Sequence, residues 1–181
     1  MSKIAVFFVD GFEEIEGLTV VDLCRRAGIE VSMVSVMESL EVMGAHNIPI
    51  RCDMLFDDME KDAYDMVVLP GGAGHRKLEA HDGLMALVDE YFKNDKYVAA
   101  ICASPSIFGR RGILQGKKAC CFPSFEEHLQ GAEVSFESVC VDGKVITSRS
   151  MGTSLDFALA IIEALEGAEL ADKKAKEIVY R

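Results

Sequence analysis

The chain is 181 residues long, 50% hydrophobic and 27% charged, with a formal net charge of −11 at pH 7. That length predicts one domain over residues 1–181, burying roughly 70% of the surface of the unfolded chain without disulfide staples. The acidic balance, unrelieved by any Lys/Arg block, argues against nucleic acid as a partner. No stretch approaches the roughly 18 consecutive apolar residues of a membrane span, so no membrane partner is expected either.

Met1-Ser2-Lys3 leads straight into the apolar run at 4–9, which reads as a strand buried on both faces. With no leader or small-residue cleavage site between them, the expected location is cytoplasmic. Asp10-Gly11 breaks the run. The next segment carries Val20, Leu23, Cys24 and Ala27 on one helical face and stops at Gly28, just after Arg25 and Arg26. A second strand follows over 29–36. Residues 40–53 hold two short β-like runs around Gly44 and His46-Asn47, and Pro49 suits an edge position, so a hairpin at the sheet margin is expected.

Met66-Val67-Val68-Leu69 is a third buried strand, ended by Pro70-Gly71-Gly72-Ala73-Gly74. Leu84, Leu87, Val88, Tyr91 and Phe92 recur at helical spacing and lead to the strand Tyr97-Val98-Ala99-Ala100-Ile101. Ser104-Pro105 opens another helix, and Ser124-Phe125-Glu126-Glu127 reads as a capping box. Asp142-Gly143 is the turn of a hairpin between 134–141 and 144–149. A last apolar-faced helix over 153–165 stops at Gly167, leaving a polar helix or tail over 168–181. Strand and helix signals alternating in this way predict an α/β fold, a mostly parallel sheet with helices on both faces.

Three strand ends, at Asp10-Gly11, Pro70-Gly71-Gly72 and Cys102, should meet at the edge where open α/β sheets bind ligands. Cys102 stands on a strand-to-helix corner, where a side chain projects past the strand and the next helix aims free N–H groups at it. The Gly-Gly pair serves as a tight turn or presents backbone N–H groups to a developing oxyanion. It carries neither the GxGxxG spacing nor the terminal Lys-Ser/Thr of a phosphate loop. Glu13 and Glu14 suit a first helical turn on macrodipole grounds, whereas Glu16, a turn later, could project toward Cys102. His46 and His75 are expected to be exposed loop residues.

A free thiol titrates at about 8.5, and a helix terminus would bring it to about 7. An ionised glutamate in contact would reverse that gain. The stable arrangement is then one shared proton, held mostly by the Glu16 carboxyl, which donates a hydrogen bond to a Cys102 thiolate. The remaining cysteines, Cys24, Cys52, Cys120, Cys121 and Cys140, form no CxxC pair and read as core thiols of a reducing compartment. Histidines at 46, 75, 81 and 128 lack paired spacing, so no metal site is expected.

These residues resemble the DJ-1/ThiJ/PfpI superfamily, in its DJ-1 branch, over nearly the whole chain. The likeness rests on Gly11-Phe12-Glu13-Glu14-Ile15-Glu16, Arg25-Arg26-Ala27-Gly28, Val67-Val68-Leu69-Pro70-Gly71-Gly72 and Ala99-Ala100-Ile101-Cys102-Ala103-Ser104-Pro105. Further on, Thr147-Ser148-Arg149, Gly152-Thr153-Ser154 and the helix at 158–165 extend it. The resemblance implies a flavodoxin-like three-layer sandwich, a homodimer, and no cofactor. It assigns Cys102 as nucleophile, Glu16 as its protonated partner, and the N–H groups of Gly72 and Ala103 as oxyanion donors. Glyoxalase, deglycase, chaperone and oxidative-stress roles go with it.

Two departures narrow the reading. Where many relatives have a His-Pro step, this chain has Phe122-Pro123, so base strength must come from Glu16 or water. Ala103 replaces the histidine of the protease-like branch, and the His-x-Glu step of class I amidotransferases is absent. The expected function is therefore a cysteine enzyme acting on small reactive carbonyl compounds such as methylglyoxal. The alternative is a non-enzymatic oxidative-stress sensor or chaperone-like protein in which Cys102 is oxidised to the sulfinate.

Overall fold

Apolar runs alternating with amphipathic stretches fold into a central sheet covered on both faces. The computed structural model describes residues 1–180. In chain order the first half contributes β1 (Lys3–Phe8), α1 (Glu14–Arg26), β2 (Glu30–Ser35), β3 (Glu41–Met43), β4 (Pro49–Arg51), β5 (Met54–Leu55) and β6 (Met66–Leu69). There follow α2 (His75–Glu79), α3 (Asp82–Lys93), β7 (Tyr97–Ile101), α4 (Pro105–Arg110), β8 (Lys118–Ala119) and β9 (Glu133–Val134). The chain ends with β10 (Val139–Asp142), β11 (Val145–Ser148), α5 (Ser154–Glu166) and α6 (Ala168–Glu177).

Seven strands form the main sheet in the order β10-β11-β7-β6-β1-β2-β5. All its neighbours are parallel except β10 and β11, the arms of the hairpin around Asp142-Gly143. Gly143 takes φ +60 there, a conformation that the tight turn needs and glycine supplies.

The alternation of side chains along β1 explains its unbroken hydrophobicity. Ile4, Val6 and Phe8 enter one core with Val20, Phe157 and Ile161 from α1 and α5. Ala5 and Phe7 enter the other with Leu84, Val88 and Phe108 from α3 and α4. Parallel pairing of β1 with β6 and of β6 with β7 brings the carboxyl ends of all three to one edge. That edge carries the site. Among the described residues, no helix is long and apolar enough to cross a membrane.

Several local expectations are corrected. The 40–53 hairpin forms as β3 and β4 but makes a two-stranded sheet of its own, and the margin of the main sheet is β5. Val134 belongs to β9, paired with β8, and the irregular stretch at 135–138 interrupts the arm that was expected to reach it. Ser124 caps nothing. It sits at φ +75, and the short 3-10 turn Glu126–His128 has Phe125 at its start with no side-chain cap. The reciprocal capping box lies instead at Ser150 and Thr153, leading into α5. The tail does form a helix, α6, which buries Ala171 and Ala175.

Candidate active site

Cys102 adopts φ +67, a left-handed conformation that a residue with a Cβ enters at a cost of about 1–3 kcal/mol. Its neighbours hold it there. The Cys102 N–H donates to the Ser148 carbonyl on β11 at 3.0 Å, and the Cys102 carbonyl accepts from the Phe122 N–H at 2.8 Å. Ser104 donates from Oγ to the Pro70 carbonyl at 2.6 Å, tying the end of β7 to the end of β6, while Ser106 Oγ bonds back to the Ala103 carbonyl. Both serines are buried, so these bonds are shielded from competing water. Pro105 then starts α4 where a missing N–H costs nothing.

Glu16 lies in the first turn of α1 and is only 1% exposed. Its Oε2 accepts from the Gly71 N–H at 2.9 Å. A Cβ added to Gly71 would stand 2.5 Å from Cys102 Cβ and 2.6 Å from Glu16 Oε2. Gly71 is therefore the spacer that lets a thiol and a carboxyl approach from its two sides, and any larger residue would push one of them aside. The carboxyl and the Cys102 thiol are close enough that each shifts the other's proton affinity. The remaining oxygen, Oε1, is buried without a close partner of its own.

The charges in this pair oppose each other. Burial, reinforced by the charge of Glu13, pushes the Glu16 carboxyl up to about 7. Burial and then the Glu16 charge push the Cys102 thiol up to about 12, against the backbone N–H groups of Gly72 and Ala103 that favour its anion. The lowering toward 7 expected from a helix terminus does not prevail, because α4 is short and the thiol is largely desolvated. The expected placement of the shared proton is reversed: the carboxyl is the first of the two to ionise, near 7, and the sulfur keeps its proton to about 12.

The two other acids are more than dipole partners. Glu14 is buried and accepts the His46 N–H at 2.7 Å on Oε1, with His46 Nδ1 at 3.0 Å from Oε2. Burial opposes its charge, yet these bonds hold the Glu14 carboxyl below its ordinary range, and the same contact raises the His46 imidazole. Glu13 Oε2 lies 3.7 Å from the same ring nitrogen. The donor atoms of Glu13, Glu14 and His46 all fall within 4.8 Å of one another, a grouping that spacing along the chain does not foretell.

His46 is exposed, as expected, and His75 is not. With 7% of its surface accessible, His75 donates from Nδ1 to the Gly72 carbonyl at 2.9 Å and meets the Phe125 ring edge-on at 5.6 Å. Burial holds its pKa below the ordinary histidine value, so the ring is neutral and Nε2 keeps its lone pair. The sequence offers only a glycine-rich loop here; the five-residue α2 that buries the ring carries no periodicity to announce it. Glu16, Cys102, His75, His46 and Glu13 share one cleft of about 410 Å³, walled by Phe122, Phe125 and Met151.

Fold and site together define a doubly wound α/β protein that presents a thiol on a strained strand-to-helix elbow beside a buried carboxyl. The chain belongs to the DJ-1/PfpI family, whose model matches residues 2–164. It is 40% identical over 169 residues to protein DJ-1 homolog B of Arabidopsis thaliana, covering 92% of this chain and 39% of that protein. The chain thus spans well under half of that plant relative's length. It is 30% identical over 152 residues to Deglycase TK1284 of Thermococcus kodakarensis, covering 83% and 91% respectively. Among solved structures, oxidised Toxoplasma gondii DJ-1 superposes with a TM-score of 0.95 at 32% identity, covering 99% of each chain. The flavodoxin-like sandwich expected from the resemblance is the observed fold.

Proposed function

We propose that the chain is a cofactor-free cysteine enzyme acting on small reactive carbonyl compounds, with 2-oxoaldehydes such as methylglyoxal as the substrate class. The observation that carries this reading is the meeting of Cys102 and Glu16 across Gly71 in a small, largely apolar cleft. The name of the archaeal deglycase relative supports the same substrate class. In the singly deprotonated pair the Glu16 carboxylate takes the thiol proton as the sulfur adds to the aldehyde carbon, and returns it to the oxyanion that the N–H groups of Gly72 and Ala103 hold. Glu16 carries a proton from that carbon to its neighbour, leaving a thioester. Water then cleaves the thioester, releasing a hydroxy acid and restoring the thiol. Cofactor-free loss of methylglyoxal should vanish in Cys102→Ser. A variant as fast as the unaltered protein rejects the mechanism.

A second reading follows from the Glu16 carboxyl, whose Oε1 is buried without a hydrogen-bond partner. As a carboxylic acid, Glu16 can donate to an oxygen of a Cys102 sulfinate, so the same site can serve as an oxidation sensor. The oxidised state of the Toxoplasma relative is consistent with it. Peptide mass mapping after mild peroxide treatment should find Cys102 carrying two added oxygens. An unmodified Cys102 under conditions that oxidise other cysteines removes this reading. We further propose a homodimer, as the family resemblance implies.

A further inference from the structure

Away from the cleft, two other cysteines are brought together by one threonine. Cys140 on β10 stands opposite Thr147 on β11 in the antiparallel register, and residues paired in this way project their side chains from the same face of the sheet. Cys120, just past β8, lies over that face. Its N–H donates to Thr147 Oγ1 at 3.0 Å, and its Sγ is 3.3 Å from the Thr147 carbonyl oxygen. The two thiols lie close enough that each shifts the other's affinity for its proton, although Cys140 comes 20 positions after Cys120 and the whole of β9 lies between them.

We propose that Cys120 and Cys140 form a second redox centre, independent of Cys102, which a hydroperoxide closes into an intramolecular disulfide. The two sulfurs are unequal in a way that suits the chemistry. The Cys120 thiol, the Ser135 hydroxyl and the Lys118 ammonium draw the Cys140 thiol down to about 7, while the Cys140 contact and burial raise Cys120. Cys140 is thus the nucleophile and Cys120 the reserve thiol. The Cys140 thiolate attacks one peroxide oxygen; the O–O bond breaks, the peroxide is reduced to an alcohol or water, and Cys140 becomes a sulfenic acid. Cys120 then attacks the Cys140 sulfur, its proton leaves with the hydroxyl as water, and the S–S bond forms. Two thiols and one hydroperoxide give one disulfide, one alcohol or water, and one further water.

Access is local. Cys140 is 3% exposed, but β10 is the outermost strand of the sheet, next to the exposed Val141, so fraying of that edge admits a molecule the size of peroxide.

The experiment treats the full chain and its Cys102→Ser variant with a small excess of hydrogen peroxide, blocks remaining thiols under denaturing conditions, and maps peptides without reduction. Cys102→Ser should lose two blockable thiols, and both proteins should yield a crosslinked peptide joining Cys120 to Cys140, lighter than the separate peptides by two hydrogen atoms and reversed by dithiothreitol. Cys120→Ser should instead leave a sulfenic acid at Cys140 that dimedone traps. The proposal is overturned if Cys120 and Cys140 both remain blockable while Cys102 is oxidised, or if the crosslink joins Cys121 instead. The measurement on unaltered protein decides the matter even where a variant folds poorly. Because Cys102→Ser removes the thiol used by the proposed enzyme and sensor, success or failure here is distinct from theirs.

Discussion

Gly71 sets the distance between Cys102 and Glu16, and a single methyl group there would test how closely that distance is held. Gly71→Ala puts a carbon against Cys102 Cβ and the Glu16 carboxylate at once. Overpacking of that kind costs about 1–3 kcal/mol. The expected result is a folded protein with a lowered denaturation midpoint and at least tenfold slower alkylation of Cys102. Glu16 allows a sharper test, because the sign of its effect on stability is set. Its folded pKa of about 7 lies above the ordinary value of 4.5, so the folded state holds a proton that the unfolded state releases. The contribution of this group to stability is complete below 4.5 and is lost as pH rises through 7. The loss amounts to about 3 kcal/mol. Between pH 5 and pH 8 the unaltered protein should therefore lose more unfolding free energy than Glu16→Gln, by an amount of that order. Equal losses in urea titrations would show that Glu16 is not the group holding the proton. In the same variant, the step in Cys102 alkylation rate near pH 7 should disappear.

The elements carrying the site differ in how much the sequence reveals of them. β1, β6 and β7 are near-unbroken apolar runs ended by Gly or Pro, and their ends converge as expected because parallel pairing leaves them no other edge. Cys102 and Glu16 were legible for that reason, together with the family resemblance. β5, β8 and β9 have two residues each, too few for any period to show. Contacts made between distant elements were equally silent: Glu14 meets His46 across 32 residues, and Cys120 meets Cys140 through Thr147. The direction of the Cys102 shift was misjudged because helix-terminus stabilisation is visible in a sequence, whereas burial is not. Ser104 is the element-scale tie, since its hydroxyl joins the end of β7 to the end of β6. Ser104→Ala leaves the buried Pro70 carbonyl short of a donor, a loss of about 1–3 kcal/mol. The expected outcome is a lower thermal midpoint and a slower-reacting Cys102, with near-native circular dichroism. Unchanged Cys102 reactivity would show that other bonds position the elbow.

At the scale of the whole molecule, the homodimer proposed above can be tested on one apolar patch of the surface. Ile15 on α1 and Ile48 in the loop between β3 and β4 are 48% and 52% exposed. Together with Leu18 they line one shallow depression on the side of α1 turned away from the core. Large apolar side chains clustered on one face mark association surfaces more often than chance does. A two-fold contact made there would be self-complementary, α1 and the hairpin loop of one copy meeting their counterparts on the other. The depression begins at Glu14, whose other contacts hold His46 at the rim of the cleft, so dimer formation and the shape of the cleft mouth would be linked through one carboxylate. Ile15→Glu combined with Ile48→Glu places two like charges from each copy in that contact. If the proposed dimer uses this face, sedimentation velocity should show a dimer for the unaltered protein and a monomer for the double variant, while circular dichroism stays the same because neither side chain supports the core. A doubly substituted protein that still sediments as a dimer would place the interface elsewhere.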